Sequence, residues 1–226
     1  MKKLILLFTI CVATVSYAQK MPKGVSVEGE GTVRVVPDQV LINVRAEHEG
    51  NSATEVKELT DSDINEVIKF LKSKGIKSKN IQTEYIQLGK SYNYQTKKYN
   101  YRSYQSLSVL LEDIEDYEMI MDGLMASGIN NISNVNFQSS SADELEAEAR
   151  KKAIENAKMK AQEYADALGQ PLGEAYFVSE IQNQAYQPVM MNAKMDASAV
   201  ESSSRETIAV GEMEITVKIN VGFFLK

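Results

Sequence analysis

A chain of 226 residues, 43% of them hydrophobic, is long enough to bury one or two cores. Its 31 acidic side chains outnumber its 25 basic ones, for a net charge of -6. An acidic chain without a basic cluster is a poor match for nucleic acid, where phosphate neutralisation dominates affinity, so no nucleic-acid partner is expected.

Lys2 and Lys3 open the chain, Leu4 to Val15 form an apolar run, and Ser16-Tyr17-Ala18 supplies small residues around a cleavage point. Residues 1–18 therefore read as a secretory signal peptide, with the mature chain starting at Gln19 outside the cytoplasm. The apolar run is about twelve residues, too short for a transmembrane helix, which needs roughly twenty. No later segment comes close, so no transmembrane segment is expected. Cleavage also removes Cys11, the one cysteine, and leaves a mature chain without thiols or disulfides. With Lys2 and Lys3 gone, the net charge moves from -6 to -8.

Val25 to Val36 alternates loosely around Gly29 and Gly31, Pro37-Asp38 reads as a turn, and Val40, Ile42, Val44 and Ala46 resume period two. Ser52 with Glu55 forms a capping box. After it Val56, Leu59, Ile64, Val67, Ile68 and Leu71 recur at helical spacing until Gly75 offers a left-handed stop. A small repeat follows: Leu71 stands four residues before Gly75-Ile76, and Leu124 four before Gly128-Ile129, with Ile81 and Val135 beyond. Each copy is a helix end, a glycine stop and a new strand. Residues 38–138 thus spell β-α-β-β-α-β, the order of a ferredoxin-like plait with two helices on one face of an antiparallel sheet.

Ser141 with Glu144 is a second capping box, and Leu145, Ala149, Ala153, Ala157, Ala161, Ala165 and Leu168 step by three or four to Gly169. Such a stripe of small residues suits close packing on a twisted sheet. Glu146 with Arg150 and Glu148 with Lys152 are i, i+4 pairs on its wet side. Between Ile181 and Arg205 the pattern dissolves, and residues 182–206 read as a long mobile loop. Met213 to Phe223 then alternates as a last strand with one buried face. Residues 24–36 together with 139–226 make a second, discontinuous α+β module, so the fold class is α+β.

This order of motifs resembles the SIMPL domain family: Val27-Glu28-Gly29-Glu30-Gly31, Val33 to Val36, Pro37-Asp38, Leu71 to Gly75-Ile76, Ile81-Gln82-Thr83, Tyr104 through Leu111, Gly128-Ile129 and Phe137. The helix closing in Ala167-Leu168-Gly169, with Leu172-Gly173 and the final alternating strand, belongs to the same pattern. The resemblance implies an envelope protein, periplasmic or associated with the outer membrane. Some members are linked to oxidative-stress tolerance, and some assemble into large ring-shaped or channel-like oligomers. It implies no catalytic residues.

The residues themselves offer few sites. His48 is the sole histidine and lacks the further ligands a zinc site needs, so it reads as a polar residue at a strand end. Gly29-Glu30-Gly31 is followed by no helix N-terminus to hold a phosphate, and a bulge or close backbone contact in a strand is the better explanation for it. Met190, Met191 and Met195 could offer soft ligands or oxidisable sulfurs but have no repeated spacing. Tyr92 and Tyr94 precede a turn at Thr96-Lys97-Lys98, and Tyr99 and Tyr101 follow it. Period two puts each pair on one face of a projecting hairpin, where the rings either pack on their own sheet or bury against another surface.

The expectation is a non-enzymatic envelope protein that acts by self-assembly or by binding an envelope partner. It has no cofactor, no catalytic residue and no metal site, and its interface residues are Tyr92, Tyr94, Tyr99 and Tyr101. The alternatives are a hydrolase whose carboxylates converge in space and a small-ligand or metal binder at the methionine-rich loop.

Overall fold

The computed structural model of the chain describes residues 23–95, 97–181, 187–189 and 210–226. The expected cleavage point, Cys11, and the expected loop apart from 187–189, with Met190, Met191 and Met195, lie outside the described residues. In chain order the elements are β1 (Gly24–Val35), β2 (Gln39–Gly50), α1 (Ala53–Ser73), β3 (Ile81–Asn93), β4 (Lys98–Leu111), α2 (Tyr117–Ala126), β5 (Asn131–Gln138), α3 (Ala142–Ala167), β6 (Leu172–Ile181), β7 (Gln187–Val189) and β8 (Glu212–Leu225). The fold is α+β with two antiparallel sheets. The chain divides into two compact units: residues 33–145 fall in one, with 187–189 and 210–215, and residues 23–32, 146–181 and 216–226 in the other.

In the first unit the sheet order is β3-β4-β2-β5, with every pairing antiparallel. That is the order a ferredoxin-like plait requires, because each β-α-β crossover must leave room for the other's central strand. Val40, Ile42, Val44 and Ala46 are fully buried on one face of β2, beside Leu107, Val109 and Leu111 of β4. Ile64, Val67 and Leu71 of α1 and Ile120, Met121 and Leu124 of α2 cover that face.

The repeat read from the sequence is a repeated cap. Ile76 N–H donates to Leu71 O and Ile129 N–H to Leu124 O, each at 3.1 Å, with Gly75 and Gly128 at positive φ. These are the six-to-one bonds of a glycine-terminated helix, and they satisfy carbonyls that the helix end would leave unpaired.

One position of the α1 stripe differs from expectation. Leu59 is about half exposed, and Thr60 is buried in its place. The burial positions of α1 run Val56, Thr60, Ile64, Val67, Leu71. A hydroxyl is tolerated there because Thr60 Oγ1 donates to Val56 O at 2.8 Å.

In the second unit β8 pairs with β1 on one side and β6 on the other. The pairing of β7 with Glu212–Glu214, the first residues of β8, belongs to the first unit. Thr32 Oγ1 lies 3.0 Å from Thr216 Oγ1, and Lys218 Nζ lies 3.3 Å from Glu30, so partner numbers fall as β1 advances and the pair is antiparallel. Three residues of the segment expected to be loop thus form a strand. Ala149, Ala153, Ala157, Ala161 and Ala165 of α3 have no exposed surface. Leu168, at the end of the expected stripe, is exposed. A Cβ added to Gly29 would lie 2.1 Å from Ala153 O, and one added to Gly31 would lie 2.1 Å from Ala149 O. The glycines therefore serve close backbone approach between β1 and α3, which no side chain on β1 would permit.

Candidate functional site

The β3–β4 hairpin is longer than the strand beside it. β2 ends at Gly50, opposite Tyr101, while β3 and β4 continue through Ser91↔Asn100, Tyr92↔Tyr99 and Asn93↔Lys98. Among the described residues these last rungs have no third strand. Tyr92 and Tyr99 face each other across the ladder with ring centroids 5.1 Å apart, and Tyr94 meets Tyr92 edge-on, also at 5.1 Å. Lys90 Nζ sits 3.9 Å from the centroid of Tyr99 and 5.9 Å from that of Tyr101, within the range at which a ring face attracts a cation. Tyr92, Tyr94 and Tyr99 are all exposed, Tyr94 at 85%, and none of the four tyrosines belongs to the buried core of the plait. The hairpin thus carries a self-stacked aromatic cluster with a cation on it, open to solvent.

A second row crosses the sheet on the face away from the helices. Arg45 lies 4.6 Å from the Tyr104 ring, Tyr104 stacks on Tyr85 at 5.8 Å, and the Tyr104 hydroxyl donates to Gln87. Arg45, Tyr104 and Tyr85 come from three adjacent strands. Tyr85, Ile86, Leu88 and Lys90 were not picked out as site residues by spacing. That β3 is an edge strand depends on the sheet order, which local spacing does not supply.

His48 behaves differently from its sequence neighbours. Its Nε2 is 2.7 Å from Asp63 Oδ2 on α1, with both side chains about a quarter exposed. Glu47 and Glu49, which flank it in sequence, instead pair with Arg102 of β4. The hydrogen bond from Asn100 and the nearby Arg102 charge hold the Glu49 carboxyl below its usual range. The pair ties β2 to α1, and Gly128 closes over it, since a Cβ there would fall 2.5 Å from Asp63 Cγ. Among the described residues no group of three side chains could hold a metal ion.

Carboxylates also converge beside the end of β4. Glu112, Asp113 and Asp116 line a cleft of about 240 Å³ with Lys74 and Lys77. Hydrogen bonds from Lys77 and Asn80, with the charges of Lys77 and Lys79, hold Glu112 down to about 2. Asp113 accepts from Glu115 N–H at 2.9 Å and so caps the short turn that follows β4. A general acid for hydrolysis needs a carboxyl whose pKa is raised. Glu112 is shifted the opposite way, and Asp113 is occupied with the backbone.

Comparison with known proteins bears on the whole chain. The family model described as "SIMPL: Protein of unknown function (DUF541)" matches residues 25–223. The uncharacterized protein YggE of Escherichia coli (strain K12) is 29% identical over 215 residues, which cover 92% of this chain and 87% of that protein. The 26 kDa periplasmic immunogenic protein of Brucella melitensis biotype 1 is 27% identical over 214 residues, covering 91% and 86%. Neither name carries an enzymatic activity, and among the described residues no helix is long and apolar enough to cross a membrane. With the family pattern running from β1 into β8, the chain belongs to the SIMPL family, which includes a periplasmic protein and whose function is unknown.

Proposed function

We propose that this protein is exported to the periplasm by a cleaved signal peptide and works there without catalysis, through self-assembly at the β3–β4 hairpin. The observation that carries the reading is the exposed cluster of Tyr92, Tyr94 and Tyr99 on rungs that outrun the rest of the sheet. Large rings with polar tips give much contact area for little rotamer entropy, and a cluster already stacked in the free chain has less freedom left to lose. The charged opening, Lys2-Lys3 before an apolar run, and the periplasmic relative support export. An envelope partner taking the place of a second copy, and a part in stress tolerance, are further roles for the same surface.

The test is light scattering beside circular dichroism on the chain from Gln19 onward, with Tyr92, Tyr94, Tyr99 and Tyr101 all changed to Ser. The native chain should show a multiple of the monomer mass, and the variant should lose mass while keeping its far-ultraviolet spectrum. A native chain that is monomeric at every concentration would contradict self-assembly. An unchanged mass in the variant would remove the tyrosines from the contact.

A further inference from the structure

The tyrosine tip is only one end of a longer open surface. Among the described residues β3 is an edge strand of 13 residues that pairs with β4 and with no other strand. Its middle presents large apolar side chains to solvent on both faces: Tyr85 is 55% exposed, Ile86 64% and Leu88 46%. Long edge strands usually carry charges, proline or a covering element, because their unpaired N–H and C=O groups are a template for another strand. β3 has no proline, one bulge near Glu84 and a single lysine, Lys90. The opposite edge of the same sheet is shorter, eight residues, and polar, with Asn131, Ser133, Asn134 and Asn136.

The sequence of β3 also says what would fit against it. A two-fold axis perpendicular to a sheet keeps each residue on its own face, so an antiparallel pair of identical strands must centre on one residue that meets its own copy. With Gln87 at the axis, Ile86 stands across from Leu88, Tyr85 across from Gly89, and Glu84 across from Lys90. Each of these pairs is complementary, as apolar with apolar, ring over glycine, and acid with base, and each occurs twice by symmetry. Moving the axis one place breaks the match. Centred on Leu88, Ile86 meets Lys90; centred on Ile86, Glu84 meets Leu88.

We infer that β3 pairs antiparallel with β3 of a second copy of this chain about a two-fold axis at Gln87, joining two four-stranded sheets into one of eight strands. The inference rests on the assembly reading above and names the strand and register that carry it. The aromatic tips then lie at the two ends of the new seam, where each tip flanks the partner copy's β3.

A cysteine at the axis reports this register directly. Facing Cα atoms in an antiparallel pair are about 4.5 to 5.5 Å apart, within disulfide reach, and the chain from Gln19 onward has no other cysteine. Gln87→Cys under mild oxidation should convert most of the monomer band into a covalent pair. Ser91→Cys should not, because its copy would sit about 27 Å away, eight positions along the partner strand. Adding Ile86→Lys to Gln87→Cys should abolish the covalent pair with the circular dichroism unchanged, since Ile86 is solvent-facing. If the native chain assembles by light scattering while the Gln87→Cys variant fails to cross-link, or the Ser91→Cys variant cross-links equally well, the β3 register is wrong and the assembly reading stands. If the native chain is monomeric, both fall together.

Discussion

Two sheet edges in this protein are treated in opposite ways. β1 is an edge strand, and α3 closes it with side chains: Asn156 Oδ1 accepts from Glu30 N–H at 3.1 Å, Lys160 Nζ donates to Glu28 O at 2.9 Å, and Lys152 Nζ reaches Thr32 O at 3.5 Å. The three residues are four apart on one helix, each close in sequence to an alanine of the buried stripe. The glycines of β1 bring the backbones near enough for these short reaches. β3 is also an edge, yet it shows solvent Ile86, Leu88 and the tyrosines. The lesson is that the same sequence can spend three helix positions on sealing one edge and leave another available for pairing, so exposure at β3 is a feature to explain by use rather than by default.

The two helix layers differ in the same spirit. α1 and α2 pack on their sheet through Leu71, Ile120 and Leu124, which stand the helices off by the length of a branched side chain. α3 packs through alanine onto Gly29 and Gly31. Shortening a side chain should therefore hurt one layer and lengthening one should hurt the other. Leu71→Ala, at a site with no exposed surface, should cost about 3 kcal/mol in chemical denaturation from lost burial and a cavity. Gly31→Ala should cost about 2 kcal/mol from overpacking, although alanine favours a strand over glycine and lowers the entropy of the unfolded chain. A stabilised Gly31→Ala would show that the β1–α3 approach is looser than described.

The closed edge offers a finer cut. Asn156→Ala removes one acceptor but gains helix propensity of several tenths of a kcal/mol, against about 1 kcal/mol for the hydrogen bond. The net loss of stability should stay near or under about 0.5 kcal/mol by those figures. The expected signature is local: the Glu30 amide should exchange faster with solvent while its neighbours on the β8 side do not change. Unchanged exchange at Glu30 would mean that Asn156 does not seal the edge.

Much of this arrangement was legible in the sequence. The order of the long elements, the twin helix stops at Gly75 and Gly128 and the alanine stripe all follow from local periodicity and capping, which act over a few residues. For Gly29 and Gly31 the sequence left a bulge and a close contact open, and the nearness of α3 decides for the contact. What periodicity could not supply was the identity of neighbours. Leu59 fits the helical stripe by hydrophobicity, yet Thr60 takes the buried place because its hydroxyl is satisfied within its own helix. His48 sits between two glutamates in the chain, but the pleat turns those away and its partner is Asp63, fifteen residues on. Lys152 reads as a wet-side partner of Glu148, and only the nearness of β1 makes it, with Asn156 and Lys160, an edge partner. The open edge at β3 is a property of sheet order, and no single strand announces it.

Backbone hydrogen exchange, compared between dilute and concentrated samples of the chain from Gln19 onward, tests the central claim most directly. An amide that gains a partner strand on assembly must slow with concentration, and one already sealed must not. The account predicts concentration-dependent protection of outward-facing amides across β3, 81–93, with β5 unchanged and Glu30 of β1 protected at both concentrations. Protection that grows at β5 or elsewhere while β3 stays unchanged, in a sample whose mass shows assembly, would contradict it.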